Sequence, residues 1–297
     1  MSAWKGVIPA MVTPLKDGGK ILDMDALREY CDFLRERRVD GVFCGGTTGE
    51  GPLLSLDERR KLAEETVSRL HGKVRVIIQT GCIRTDQTVE FTKFAREIGA
   101  DAAGVVLPFY YTYPDESLYR YYMEIAEEVP DFPLFLYNIP GCTTNDISLE
   151  LFQRLLKGVE SIVGIKNSSD NIFQTSAFIQ AAGKRCAVFN GNDGLLLPAL
   201  SLGTAGLVSG NASTFPEPFV ELFNAFSAGN MDKARELQRL IDKLRLILAN
   251  GRDNASFKRA LQLRGIQAGS VRKPDRDLDE KESAWLKSSL QDLGVLS

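Results

Sequence analysis

Histidine is nearly missing from this chain: His71 is the only one in 297 residues. Metal centres that polarise organic substrates commonly draw on several imidazoles, so a metal-dependent mechanism is disfavoured at the outset. His71 itself stands beside Gly72 at a helix end, where a capping or surface role is expected. The five cysteines, Cys31, Cys44, Cys82, Cys142 and Cys186, are odd in number and never spaced C-x-x-C. That indicates neither a disulfide framework nor a zinc site, and reads as reduced, mostly buried thiols. No G-x-G-x-x-G or G-x-x-x-x-G-K-[ST] phosphate loop is present, so nothing favours a doubly wound nucleotide-binding sheet. There is no excess of basic charge either. Lys and Arg number 36 against 39 Asp and Glu, a net charge of −3, which weighs against nucleic acid as a partner. No apolar run reaches transmembrane length, and residues 1–6 lack the basic and apolar regions of a secretion signal. No membrane partner and a cytoplasmic location are the expectation.

What the chain does have is an ordinary globular composition, 44% apolar and 25% charged, and a strong rhythm. Short apolar runs at 7–12, 41–44, 74–79, 103–107, 133–137, 161–166, 187–190 and 206–209 alternate with helical patterns. Leu27, Tyr30, Cys31 and Leu34 follow one helix face. Leu62, Thr66 and Leu70 do the same after Ser55, whose partner three residues on, Glu58, makes a capping-box start. Phe91, Ala95 and Ile98 line the next face, and further helical stretches begin at Asp115, Ser148, Asn171 and Gly194. Eight strand-then-helix units predict an α/β fold of the (β/α)₈, or TIM-barrel, kind. The barrel is assigned to residues 1–229. Residues 230–297 read as a helical extension, with Ala234, Leu237, Ile241, Leu244 and Leu248 as one buried stripe and later helices starting near Asp253 and at Asp279. The charged run 272–282 is read as a solvated linker and helix start.

Sites on such barrels lie at the C-terminal strand ends. The sixth run is apolar and rich in β-branched residues, then stops at Lys166. Burying a charge there is costly, which favours a neutral amine able to attack a carbonyl. The same lysine equally fits an ion pair with a carboxylate such as Glu50 or Asp193, or the start of an exposed loop. Tyr137 ends the preceding run and so lies beside Lys166, where a phenol could relay protons; an aromatic core plug is the alternative. Gly45-Gly46-Thr47-Thr48-Gly49 is a turn whose amides and hydroxyls suit a carboxylate, though a plain βα turn has the same composition. Glu50 could orient this loop, pair with a cation or face water. Aromatics crowd 109–113, as in a core or subunit contact. Asn190, Asp193 and Ser209 could bind substrate hydroxyls, and they also suit turns.

Together, Gly45-Gly46-Thr47-Thr48-Gly49-Glu50, Tyr137-Asn138-Ile139-Pro140 and Gly164-Ile165-Lys166 resemble the signature of the dihydrodipicolinate synthase / N-acetylneuraminate lyase family. The opening Pro9-Ala10-Met11-Val12-Thr13-Pro14, Gly99-Ala100-Asp101 and Pro108-Phe109-Tyr110 fit as well. The resemblance implies a barrel with a helical tail, a homotetramer or homodimer, no metal and no organic cofactor. It makes Lys166 the residue that forms a Schiff base with pyruvate or another 2-oxo acid, the partner substrate being an aldehyde. Tyr137 would relay the proton, Thr47 and Thr48 would hold the carboxylate, and Tyr110, with Tyr111 as competitor, would reach into a neighbouring subunit's site. Two positions depart from the family's best-known members. Where synthases usually carry an arginine for the aldehyde's carboxylate stands Cys142, and where sialic acid lyases usually carry a glutamate stands Gly194. The stretch Gly164-Ile165-Lys166-Asn167-Ser168-Ser169-Asp170 is more similar to aldolases of 2-oxo-3-deoxy sugar acids. The expectation is a class I aldolase or lyase acting on such an acid. Its alternatives are dihydrodipicolinate synthase, which condenses pyruvate with aspartate semialdehyde, and a silent 2-oxo-acid-binding regulator.

Overall fold

Strands buried on both faces must be apolar throughout, and each of the eight apolar runs forms one in the computed structural model, which describes residues 4–249 and 253–296. They are β1 Gly6–Pro9, β2 Gly41–Cys44, β3 Arg75–Gln79, β4 Ala102–Val106, β5 Leu134–Asn138, β6 Ile162–Asn167, β7 Ala187–Asn190 and β8 Gly206–Ser209. The ladder runs β1-β8-β7-β6-β5-β4-β3-β2. Its two ends meet where Ala10 and Phe43 form a parallel bridge and the Met11 amide donates to the Phe43 carbonyl at 2.9 Å. The result is the expected (β/α)₈ barrel.

A helix follows every strand: α1 Met24–Glu36, α2 Leu56–Leu70, α3 Thr85–Glu97, α4 Asp115–Glu128, α5 Leu149–Gly158, α6 Ile172–Ala182, α7 Leu196–Leu202 and α8 Pro216–Ser227. Their starts are written in the sequence. Ser55 and Glu58 form a reciprocal capping box, Ser148 accepts from the Leu151 amide, and Asn171 accepts from those of Phe173 and Gln174. Among the described residues three more helices follow, α9 Met231–Ile247, α10 Asn254–Leu263 and α11 Glu280–Asp292. The α9 stripe of Ala234, Leu237, Ile241, Leu244 and Leu248 is buried as its spacing predicts, and Asp279 opens α11 in a capping box with Glu282. His71 is the exposed C-cap of α2. Cys31, Cys44, Cys82 and Cys186 are buried free thiols and Cys142 is exposed. None of the described helices is long and apolar enough to cross a membrane.

By compactness the chain divides into two units. One consists of Val76–Val208 together with the start of the chain up to Gly6. In it the Trp4 ring meets Phe135 edge-on at 4.9 Å, and Phe135 meets Phe189 at 5.8 Å. Gly164 on β6 has no room for more than hydrogen, because a Cβ there would lie 2.3 Å from the Phe135 ring.

The other unit joins Val7–Arg75 to Ser209–Ser297. Its core includes Tyr30, whose buried hydroxyl donates to the Ser213 carbonyl at 2.9 Å. Burial raises the pKa of that phenol well above its ordinary value, so it stays a donor. The run 272–282 differs from its reading as a solvated linker at its first residue. Arg272 is half-buried and its guanidinium donates to the Gly19 and Lys20 carbonyls and to both oxygens of Glu58. A guanidinium fork can serve several acceptors at once, which a count of charges along the sequence does not register.

Candidate active site

In the first unit, β5 and β6 pair in parallel register with Tyr137 opposite Lys166 and Asn138 opposite Asn167. Side chains alternate along a strand, so these two pairs point to opposite faces of the sheet. Lys166 is only 5% exposed, and its Nζ lies 3.9 Å from the centroid of the buried Tyr137 ring. A cation over an aromatic face is attracted by the ring quadrupole, which also fixes where the amine points.

The opposite face is a polar network that the sequence reading did not single out. Asn138 Nδ2 donates to Asp146 Oδ1 at 2.7 Å and to Asn167 Oδ1 at 3.0 Å, while Asn138 Oδ1 accepts from the Ile147 amide. Asn167 Nδ2 donates to Thr175 Oγ1 at 3.1 Å, and Gln174 Nε2 donates to both oxygens of Asp146. Asn138 and Asn167 are fully buried, and buried amides must be paired to avoid the cost of desolvation. The signal was available: each asparagine directly follows a predicted site residue at a strand end.

The loop after β4 carries the exposed aromatics. Tyr110 is 76% exposed and Tyr111 60%, their rings meeting edge-on at 4.9 Å. Tyr110 has φ 82, a left-handed backbone that a non-glycine residue holds only when its surroundings impose it. The imposing residue is Asn145, buried and missed in the sequence reading. Its Nδ2 donates to the carbonyls of Pro108 and Tyr111, both at 2.8 Å, and its Oδ1 accepts from the Tyr113 amide at 2.8 Å. Cys142 lies exposed in the single-turn helix Pro140–Thr143 that follows β5. After β7, Asn190 closes an Asx turn onto Asn192, Asn192 Nδ2 donates to Asp170 Oδ1 at 2.7 Å, and Asp193 is buried at 5% exposure. A Cβ at Gly191 would fall 2.1 Å from Ser168 Oγ, so that serine occupies the space a larger residue would need.

In the second unit the loop after β2 is wound tightly. The Gly49 and Gly51 amides both donate to the Gly46 carbonyl, the Glu50 amide donates to the Thr47 carbonyl, and Thr13 Oγ1 donates to the Gly49 carbonyl at 2.6 Å. Thr47 is exposed at its tip and Thr48 is buried. A Cβ at Gly210 would sit 3.0 Å from Thr48 Oγ1. Ser209 is buried at the end of β8, and its Oγ accepts from the Ala212 amide at 2.9 Å. Of the three roles open to Glu50, the structure shows the cation pair and rules out facing water. Its carboxylate meets Lys258 Nζ at 2.5 Å, with both side chains 1% exposed. Glu50 is thus not an acceptor facing water, and Lys258 is a further residue the sequence reading missed. Burial pushes the pKa of the Lys258 ammonium below its ordinary value, while Glu50 pulls the other way. Among the described residues, no group of three or more His, Cys, Asp or Glu is placed to hold a metal ion.

A parallel eight-stranded barrel with an amine buried at a strand end is the framework of a lyase that works through a Schiff base, the class I type. The chain belongs to the dihydrodipicolinate synthetase family, whose sequence model matches residues 3–293. It is 34% identical over 293 residues to the 4-hydroxy-tetrahydrodipicolinate synthase of Methanocaldococcus jannaschii, covering 99% of this chain and 100% of the relative. Among solved structures it is similar to an Escherichia coli K12 prophage protein of the dihydrodipicolinic acid synthase family in complex with pyruvate. There the TM-score is 0.94 and the identity 29%, over 99% of this chain and 100% of that one. It is also similar to a catalytic-lysine mutant of the Ruminococcus gnavus sialic acid aldolase, with TM-score 0.93 and 26% identity over 98% and 96% of the two chains. The protein is accordingly an enzyme, a class I lyase of the pyruvate-dependent kind.

Proposed function

We propose that the protein is a class I aldolase cleaving or forming a 2-oxo-3-deoxy sugar acid, with Lys166 as its Schiff-base lysine. The observation that carries this is the buried Lys166 amine held over the Tyr137 ring at 3.9 Å. The Lys166 amine adds to the 2-oxo carbon, the carbinolamine loses water, and the iminium takes up the electron pair released when the carbon–carbon bond breaks. Tyr137 removes the proton from the hydroxyl of the departing aldehyde, leaving the enamine of pyruvate, and returns a proton to it before hydrolysis frees Lys166. Thr47 and Thr48 hold the substrate carboxylate. Asp193 and Ser209 bind its hydroxyls, and Cys142 borders the aldehyde portion. The pyruvate complex of the Escherichia coli relative and the lysine mutant of the sialic acid aldolase support this assignment.

The sugar-acid reading rests on the stretch Gly164-Ile165-Lys166-Asn167-Ser168-Ser169-Asp170, while Cys142 and Gly194 weigh against the two best-known activities. A thiol lacks the guanidinium fork that binds a second carboxylate in two places, and glycine presents no side chain. A second reading, condensation of pyruvate with aspartate semialdehyde, is supported by the name of the Methanocaldococcus jannaschii relative. We further propose that the enzyme works in the cytoplasm as a homotetramer or homodimer, with Tyr110 entering a neighbouring subunit's site. Its exposure and imposed backbone support that role. Borohydride reduction with pyruvate, followed by mass spectrometry, tests the chemistry: the adduct is expected on the Lys166 peptide, and its absence with every 2-oxo acid tried sinks the proposal. Pyruvate release from 2-oxo-3-deoxy acids, set against condensation with aspartate semialdehyde, decides between the two substrates.

A further inference from the structure

Glu50 closes the Gly45–Glu50 loop with φ 56, a left-handed conformation that an L side chain rarely adopts. Such a backbone persists only where its surroundings over-determine it. The surroundings here belong to the far end of the chain. One carboxylate oxygen of Glu50 accepts from the Arg272 amide at 2.6 Å, and the other meets Lys258 Nζ at 2.5 Å. Lys258 is held in turn by the Ser270 carbonyl at 2.7 Å. Arg272 then reaches past the loop to the Leu53 carbonyl and to Glu58 on α2. Both charges of the Lys258–Glu50 pair are almost completely removed from solvent, an arrangement whose desolvation cost commonly offsets its attraction. Net stability is therefore a poor reason for the pair, and a fixed geometry is a better one.

We infer that Lys258, in the C-terminal helical extension, is a positioning residue: through Glu50 it holds the Thr47–Thr48 turn in the shape that takes the carboxylate of the 2-oxo acid. The inference rests on the carboxylate role proposed above for Thr47 and Thr48. It makes α10 part of the binding apparatus, although Lys258 itself touches no substrate.

The test compares pyruvate with methyl pyruvate, which keeps the ketone and lacks the anionic carboxylate, by the rate of borohydride-trapped adduct on Lys166. Wild-type enzyme is expected to prefer pyruvate. Lys258→Met, close in volume and uncharged, is expected to raise the half-saturating pyruvate concentration about tenfold, to leave that for methyl pyruvate unchanged, and so to lower the preference about tenfold. Lys258→Arg, which keeps the charge, is expected to recover part of it. Circular dichroism and a thermal melt on the same samples establish folding. Should Lys258→Met fail to fold, the double variant Glu50→Gln with Lys258→Met removes both charges and is expected to fold with the same loss of preference. A folded variant of either kind that keeps the wild-type preference overturns the inference, provided that Thr47→Val and Thr48→Val lose it. If the threonine variants also keep it, the carboxylate role of the loop is itself wrong, and the positioning role falls with it.

Discussion

Asn138 and Asn167 face each other across neighbouring strands, amide to amide at 3.0 Å, one residue beyond Tyr137 and Lys166. Because they share a face of the sheet opposite the lysine, their bond fixes the register that sets the amine against the phenol. Replacing Asn167 with Ala leaves buried partners on Asn138 and Thr175 without one bond each. A loss of about 1–3 kcal/mol is expected, measured as a lower urea midpoint with an unchanged denaturant slope. Trapped pyruvate adduct should form more slowly, and a variant as stable as wild type contradicts the account.

Gly164 answers a question the motif alone leaves open, namely why a glycine precedes the lysine by two. The Phe135 ring fills the space where a Cβ would stand. Gly164→Ala is therefore expected to destabilise the protein by about 1–3 kcal/mol, the usual cost of overpacking a filled core. Thermal melting of Gly164→Ala checks it, with Phe135→Leu in the same chain as the relief: if the second change restores no stability, the ring is not the obstacle.

How much of this was legible beforehand divides along physical lines. Strands and helices came through because periodicity and capping are local properties. Lys166, Tyr137 and the Thr47–Thr48 loop stood out because barrel strand ends are where chemistry-bearing side chains collect. Asn145 and Lys258 did not. Each works through partners brought near only by folding: Asn145 through the carbonyls of Pro108 and Tyr111, and Lys258 through Glu50. A lone Asn or Lys in a sequence carries no mark of such a partner. Arg272 was misread for the same reason, as one charge in a run rather than a fork with acceptors waiting for it.

Asn145 yields its own expectation. Three of its four side-chain bonds, those to Pro108, Tyr111 and Tyr113, impose the backbone of the Tyr110 loop. Asn145→Ala should release the left-handed Tyr110, and if the proposed subunit role of that tyrosine is right, turnover should fall more than pyruvate adduct formation does. Static light scattering on the same sample distinguishes a loosened loop from a dissociated assembly. Equal losses in turnover and adduct formation would count against the loop as the cause.

Thiol chemistry separates Cys142 from the rest. Burial raises the pKa values of Cys44 and Cys186 to about 11 and that of Cys31 further still, so these stay protonated and shielded at neutral pH. In the native protein one thiol should react with a chromogenic disulfide, and all five after denaturation. Labelling of Cys142 is expected to leave adduct formation with pyruvate intact and to impair the reaction with the aldehyde. Rapid native labelling of more than one thiol would show that the buried set is not shielded.

The Glu58–Arg272 pair predicts an acid sensitivity. The hydrogen bond from Arg272 holds the Glu58 carboxyl below its usual range, against an opposing effect of burial. A carboxylate lowered in the folded state contributes stability that is fully present above its unfolded value of about 4.3 and is lost as pH falls through the lower folded value. Glu58→Gln should therefore be less stable than wild type by about 1 kcal/mol near neutrality. The gap should close on acidification. Urea midpoints taken at about pH 7 and again near pH 3 measure it, and a gap independent of pH would remove the ion pair as its source.

The bonds from Arg272 back to Gly19 and Lys20 carry a consequence for synthesis on the ribosome. Residues Val7–Arg75 share a compact unit with Ser209–Ser297, so the first-made segment cannot complete its packing until nearly the last residues emerge. The stretch Val76–Val208 is translated in the interval and, apart from its first residues, contains its own partners. The nascent chain is thus expected to acquire protease resistance from the middle outward, leaving its amino-terminal portion exposed to chaperones for longest.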